Sequence, residues 1–271
     1  MPENEEDLFA LPERVRQLGG EAFILGAGSN ILFRDGPQPL VLVRPDFCQG
    51  PEVAGEQDGL VLVRAGCAVP MPRLLRFCKS NGLSGLEGLV GIPGTVGGAV
   101  AMNAGSFGVQ TCERIVSCTC LVDNALRTVE KADMSYGYRS LEIFGKISKF
   151  LVLEAIFGLT RAPRGGIDKR MSFNFFEKKS RQPVTAKSAG CVFKNPQGGV
   201  SAGKLLDEAG FRGKGRGGMA FSQMHANFLI NEGHGSSEAA LSLIAEARET
   251  VRKQTGHELE LEVRVVPWLQ V

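Results

Sequence analysis

Histidine, tryptophan and tyrosine are scarce in this chain, at three, one and two of 271 residues. With only His225, His234 and His257, the chain is poorly supplied for a Cys/His zinc site, and no metal is expected. The seven cysteines (Cys48, Cys67, Cys78, Cys112, Cys118, Cys120 and Cys191) are odd in number and contain no CxxC pair. Cys118 and Cys120 share one face of a strand, which is too weak a signal for a metal site. Reduced thiols fit such a set, and with them a cytoplasmic setting. Charge of one sign is also missing. A formal net charge of +2 gives no concentrated basic face, which excludes a typical nucleic-acid binder. No apolar run is long enough to span a bilayer, and the acidic opening MPENEED has no apolar core of a signal peptide. Neither G-x-G-x-x-G nor a P-loop is present.

What the chain has in excess is glycine, 35 residues, concentrated between Gly85 and Gly108: GLEGLVGIPGTVGGAVAMNAGSFG. Eight of these 24 positions are glycine, and Glu87 is the one charge. A flexible linker would be rich in serine and other polar residues. The spacing of Gly85, Gly88, Gly91, Gly94 and Gly97 is the collagen period, but it breaks at Gly98 and carries one proline, so a triple helix is excluded. Two readings remain. Either the run is a purely structural loop of tight packing, or its bare backbone approaches a phosphate or a flat cofactor.

Hydrophobic periodicity organises the rest. Leu8, Leu11, Val15 and Leu18 predict a helix over Glu5 to Leu18, stopped by Gly19-Gly20. Short strands are expected at Ala22 to Leu25, Pro39 to Arg44 and Gly59 to Ala65, then a helix from Pro72 to Ser80. Strands follow over 114–122 and 149–159. The polar RAPRGGIDKR after Thr160 reads as a linker or surface loop, which predicts a boundary between domains at 1–161 and 162–271. Beyond it the pattern predicts a helix over Met171 to Ser180, a strand at Cys191-Val192-Phe193 and a helix from Ser201 to Ala209. Phe228 to Ile230 reads as a strand, Ser237 to Thr255 as the clearest helix, and the alternating Glu258 to Val266 as a half-buried strand. Mixed helices and strands make the fold class α+β. Glu177-Lys178-Lys179 reads as a solvated helix face. Arg212, Lys214 and Arg216 either greet an anion or line a solvated loop.

Five places carry candidate chemistry. Gly26-Ala27-Gly28-Ser29-Asn30 after a strand is a nest suited to a diphosphate or an ordinary turn. Gly91-Ile92-Pro93-Gly94-Thr95-Val96-Gly97-Gly98 followed by Met102-Asn103-Ala104-Gly105 is a second glycine turn, and the two together point to one extended cofactor. Arg139 in Ser135-Tyr136-Gly137-Tyr138-Arg139-Ser140 is either a surface residue or a guanidinium aimed at an anion or a developing enolate. Cys191 in SAGCVFKNP is by default an inert thiol, and Glu262 in LEVR by default a rim carboxylate.

GAGSN, GIPGTVGGAVAMNAG, GYR, SAGCVFKNP, SAGKLLDEAG, HANFLIN and LEVR occur in that order from Glu21 onward. In this combination the chain resembles the UDP-N-acetylenolpyruvoylglucosamine reductases, the MurB family, in its short second subtype. The resemblance implies a vanillyl-alcohol-oxidase-type FAD-binding domain followed by an α+β substrate-binding domain. It also implies FAD as cofactor, NADPH as hydride donor and a nucleotide sugar as substrate, with no membrane or nucleic-acid partner and a monomeric state. It assigns FAD contacts to Gly26, Gly28, Ser29, Asn30, Ile92, Pro93, Gly94, Thr95, Gly97, Gly98 and Asn103. Catalytic roles fall on Arg139, Cys191 and Glu262, and substrate contacts on Lys194 and Asn195. Cys191 stands where many members carry a proton-donating serine. Ser222, His225 and Asn227 match the family's SxxHANF pattern, with His225 expected to be structural. The family carries a further N-terminal stretch, a TTFRIGG-like segment among it, ahead of the part matched here. The resemblance therefore implies a shortened FAD domain. Two alternatives stand beside this reading: another FAD oxidase of the same fold, and a non-catalytic flavin- or nucleotide-sugar-binding protein. No histidine precedes His225, which argues against an oxidase that tethers its flavin through histidine.

Overall fold

The computed structural model describes residues 1–145 and 150–267. Its contacts divide them into two units, one of residues 1–27 and 39–176, the other of 28–38 and 177–271. Residue 149, the first of the strand expected over 149–159, lies outside the described residues.

The first unit is built on a sheet in the order Ala125–Glu130, Ile115–Val122, Phe150–Arg161, Leu60–Gly66, Glu52–Gln57, every neighbouring pair antiparallel. Phe150–Arg161 is its centre and is buried on both faces, as its nearly unbroken apolar run requires. A register shift between Val152 and Glu154 rearranges the alternation. Leu151 and Leu153 pack with Leu8, while Val152, Ala155, Phe157 and Leu159 enter the main core. That core also takes Leu74, Leu75 and Cys78 from the helix Met71–Ser80, and Val96, Ala99 and Val100 from the short helix Val96–Ala101. Glu21–Ile24 and Leu40–Val43 form a separate parallel pair. The helix Glu5–Leu18 forms as its pattern predicts, with Asn4 as N-cap and Gly19 in the left-handed region. Of its apolar stripe, only Leu8 is fully buried, and Leu18 is exposed.

Three expectations are corrected here. The stretch RAPRGGIDKR is not a loop, since the helix Arg164–Arg181 begins within it. Its first turns are anchored on the first unit: Ile167 is buried, Asp168 pairs with Lys79, and Arg170 pairs with Glu87 at 2.6 Å. These contacts tie the start of the helix to the first unit, which takes in residues 162–176. Glu87 also accepts from Ser84 Oγ at 2.7 Å and Gly85 N at 2.8 Å. Burial alone would raise its carboxyl; the bonds from Arg170, Ser84 and Gly85 outweigh that and hold it below the usual range. The one charge of the glycine run is thus a tether for the following helix. Second, Lys178 is buried rather than on a solvated face. Third, Glu258 to Val266 is not one strand: only Arg264–Val266 is, with an isolated bridge between Leu261 and Phe193.

The second unit holds a four-stranded antiparallel sheet in the order Ser188–Cys191, Phe228–Asn231, Met219–Phe221, Gly215–Arg216. The helix Ser237–Thr255 packs Ala240, Leu243, Ile244, Ala247 and Val251 into its core, with Ser236 as N-cap and Gly256 in the left-handed region. Residues 28–38 belong here because Ile31–Phe33 pairs in parallel with Arg264–Val266, and Asp35 accepts from Ser237 N at 2.7 Å and Oγ at 2.9 Å. Among the described residues, no helix is long and apolar enough to cross a membrane.

Candidate functional site

In the first unit the two glycine motifs meet. A Cβ on Gly26 would stand 3.1 Å from Thr95 Oγ1, so the backbone at Gly26 lies against the second motif. Gly91 (φ 75°) and Gly94 (φ 125°) hold conformations that a side chain would strain. Gly97 has a different reason to be glycine. Its Cβ would fall 2.7 Å from Cys67 Cβ, and its N–H donates to Cys67 O at 2.9 Å. Thr95 precedes the Val96–Ala101 helix as its N-cap residue, with Ile92 and Pro93 in the loop before it.

Asn103 is fully buried, at φ 44°. Its Oδ1 accepts from Cys112 N at 3.0 Å, and its Nδ2 donates to Gln110 Oε1 at 2.8 Å and Gly137 O at 2.7 Å. The side chain is a joint between three segments. Replacing Asn103 with alanine strands a buried N–H and a carbonyl and leaves a Cβ residue in the left-handed region. The apoprotein is expected to lose about 3 kcal/mol of stability, read from its thermal midpoint; an unchanged midpoint would show that these bonds carry no stability.

Gly137 leads directly into the residue pair that closes the hairpin of Met134–Gly137 with Ser140–Ile143. That pair is Tyr138-Arg139, and Arg139 sits at φ 57°. Its guanidinium lies 5.0 Å from the Tyr138 ring centroid, and a Cβ on Gly105 would come within 3.3 Å of its Nη1. A tight turn therefore presents Arg139, with an aromatic face and a bare glycine beside it.

In the second unit, the segments that carry Cys191 and Glu262 run side by side. Cys191 ends the strand Ser188–Cys191 opposite Phe228. Val192 O accepts from Glu262 N at 2.8 Å and Val263 N at 3.3 Å, and Lys194 N donates to Glu260 O at 2.8 Å. Asn30 joins them: its Nδ2 donates to Glu262 O at 3.0 Å, and its own carbonyl accepts from Arg264 N at 3.0 Å. A cavity of about 290 Å³ in this unit is lined by Gly28, Lys187, Gly190, Val192 and Val263 among others. Gly28 and the approach to Cys191 thus border one space. Ser29 lies between Gly28 and Asn30 at the start of this unit's 28–38 segment. Lys194 pairs with exposed Glu260 at 3.2 Å, a pair worth little by itself. Asn195 Oδ1 accepts from Ala202 N at 3.0 Å, at the start of the helix Ala202–Glu208.

The basic cluster is internally paired. Arg212 forks onto Asp207 at 2.5 and 2.6 Å, and Lys214 and Arg216 both reach Glu246. His225 is scaffold: its Nδ1 accepts from Asn227 N at 3.2 Å, its ring stands edge-to-face on Phe228 at 5.0 Å, and a Cβ on Gly203 would come within 2.9 Å of it. Burial first, then the Arg212 charge, holds its imidazole below the usual range. The unfolded chain protonates near the ordinary value of about 6.5, whereas the folded ring resists. This contribution to stability is whole above that pH and is lost as pH falls through the window below it. Thermal midpoints at pH 7 and 5.5 should show a fall that His225→Gln reduces.

Sequence reasoning placed Asn227 in the SxxHANF pattern without a role; it is buried and holds the backbone of Phe193 through both ends of its amide, at 2.9 and 2.8 Å. Its signal was a polar residue abutting the apolar run Phe228-Leu229-Ile230.

Two family models match the chain, the first of them running through residues 28–38 as well. Residues 1–126 match the FAD binding domain model, and residues 182–266 match the C-terminal domain model of UDP-N-acetylenolpyruvoylglucosamine reductase. The UDP-N-acetylenolpyruvoylglucosamine reductase of Nitratidesulfovibrio vulgaris is 48% identical over 98% of this chain and 90% of its own length. That of Oleidesulfovibrio alaskensis is 46% identical over 95% and 87%. The crystal structure of the Thermus caldophilus reductase superimposes with a TM-score of 0.79 at 30% identity, covering 98% of this chain and 91% of that one.

Proposed function

The chain belongs to the UDP-N-acetylenolpyruvoylglucosamine reductase family, and we propose on that ground that it reduces the enolpyruvyl ether of UDP-N-acetylglucosamine to UDP-N-acetylmuramate, a peptidoglycan precursor. The observation that carries the chemistry is the pairing of the Cys191 and Glu262 segments through Val192 O in the second unit.

The residues present fit FAD. Gly26 lies against Thr95, and Gly91 and Gly94 hold positive-φ conformations, so the backbone groups of the two motifs come together as a nest for a diphosphate needs. Gly26, Gly28, Ser29, Asn30, Ile92, Pro93, Gly94, Thr95 and Gly98 would hold it, with Gly97 and Asn103 shaping the loop. FAD supplies the relay of hydride from NADPH to the β-carbon of the enolpyruvyl group.

The chain's own residues do the rest. As hydride reaches the β-carbon, charge spreads from the α-carbon into the carboxylate. Arg139 would meet that carboxylate. The thiol of Cys191 would donate a proton to the α-carbon and be reprotonated from solvent, and Glu262 would add to the stabilisation of the enolate-like state. Hydride and proton together saturate the double bond, and NADPH leaves as NADP⁺. Lys194 and Asn195 contact the nucleotide sugar. We read the enzyme as a cytoplasmic monomer. The test is NADPH oxidation by purified enzyme: it should require the enolpyruvyl sugar nucleotide and yield the lactyl ether. Oxidation that needs only dioxygen would point to an oxidase instead.

A further inference from the structure

We propose that Asn227 is a positioning residue for the proton step, holding the segment that carries Cys191 in register with the segment that carries Glu262. The inference rests on the reading in which Cys191 donates the proton.

The sheet explains why such a device is needed. Ser188–Cys191 pairs with Phe228–Asn231, but the register breaks between Ser188 and Cys191, and Gly190 there turns into the left-handed region at φ 78°. Past the break the chain leaves the strand as Val192 and Phe193, both buried. On the side of Phe228–Asn231 the regular pairing of strand residues has ended, while on the other side Phe193 bridges Leu261. Asn227 takes the place of the ended pairing. Its backbone O accepts from Val192 N at 2.8 Å, its Oδ1 accepts from Phe193 N at 2.9 Å, and its Nδ2 donates to Phe193 O at 2.8 Å. A carboxamide offers the donor and acceptor of a peptide group, so one side chain stands in for a missing ladder residue.

The other edge of the same strip faces residues 260–263 through Val192 O and Lys194 N. The strip from Cys191 to Lys194 is therefore held on one side by Asn227 and on the other by the Glu262 segment. Its side chain fixes Phe193, and its carbonyl holds Val192, which adjoins Cys191 and whose own carbonyl binds Glu262 N. A buried amide is retained at a cost unless both its ends are bonded, and here both are. A shift of about 1 Å in a donor's place is enough to slow a reaction by about 100-fold.

The test uses holoenzyme, Asn227→Ala and Asn227→Asp, with the two half-reactions measured separately. Asn227→Ala should leave reduction by NADPH within about twofold and slow reoxidation by the enolpyruvyl sugar nucleotide by about 10- to 100-fold. The alkylation rate of Cys191 by iodoacetamide should change while that of exposed Cys48, read in the same digest by mass spectrometry, does not. Asn227→Asp guards against simple misfolding. Its neutral carboxylic acid keeps one donor and one acceptor, whereas its carboxylate turns a lone pair on Phe193 O. Ionised, it loses the donor to Phe193 O while keeping the size of Asn, so at pH 8 its reoxidation should be slowed as in Asn227→Ala while reduction by NADPH is not. Normal reoxidation with unchanged Cys191 alkylation in Asn227→Ala overturns the positioning role. Failure of the underlying reading shows separately, as unimpaired reoxidation in Cys191→Ala.

Discussion

Replacing Cys191 with alanine should slow reoxidation of the NADPH-reduced enzyme by the enolpyruvyl sugar nucleotide about 10²- to 10⁴-fold, the usual worth of a general acid. Reduction by NADPH should change little, because the thiol serves only the second half-reaction. The substitution removes a half-buried sulfur at a strand end and opens no core cavity, so the thermal midpoint should hold. Cys191→Ser keeps a hydroxyl donor and should keep substantial activity. Thiol alkylation should inactivate the enzyme, and substrate should protect it. Exposed Cys48 is a second target, which substrate should not protect, and the buried thiols complicate this little. Burial, the leading cause, pushes Cys67, Cys78 and Cys112 up to about 12, and Cys118 is raised too, so these four stay protonated and unreactive at neutral pH. Stopped-flow traces with and without substrate measure all of this. Unchanged reoxidation in Cys191→Ala would remove Cys191 from the mechanism.

Replacing Arg139 with alanine should lower kcat/KM about 10²- to 10³-fold, the loss typical of one donor to a developing oxyanion. Lysine should recover little of it, because the planar guanidinium meets a carboxylate with two parallel bonds and an ammonium does not. The fold should be nearly indifferent. Arg139 pays the left-handed strain of φ 57° as any residue with a Cβ would, so alanine neither adds nor removes it. Arg139→Gly should match alanine in rate and melt slightly higher, since glycine takes that conformation without strain. Steady-state rates beside thermal midpoints check both halves. A loss confined to the midpoint would make Arg139 a hairpin residue only.

Periodicity located the elements whose burial it controls. Ser237–Thr255 and Glu5–Leu18 carry a polar cap before them and a glycine after, and both form with the expected bounds. It failed where tertiary bonds decide. Glu258 to Val266 alternates like a strand, but Asn30, Val192 and Lys194 take the bonds of residues 260–264, and only the last three residues reach the ladder. RAPRGGIDKR looks like a loop because its glycines and charges hide the ion pairs of Asp168 and Arg170 with distant residues. In the candidate site the glycine motifs were legible as places of close approach, and Gly97 shows that tight packing on Cys67 is one of its causes. The side-chain roles were less so. Asn103 was expected to contact cofactor, and the amide also joins Gln110, Cys112 and Gly137; no local pattern announces bonds to residues so far along the chain. Asn227 was legible as part of SxxHANF, but its bonds to Phe193 were not, for the same reason.

An anaerobic absorbance titration of the purified holoenzyme tests the central claim most directly. NADPH should bleach the flavin band, and the enolpyruvyl sugar nucleotide should restore it stoichiometrically with formation of UDP-N-acetylmuramate. A band that NADPH bleaches but only dioxygen restores, or one that NADPH leaves untouched, would contradict the account.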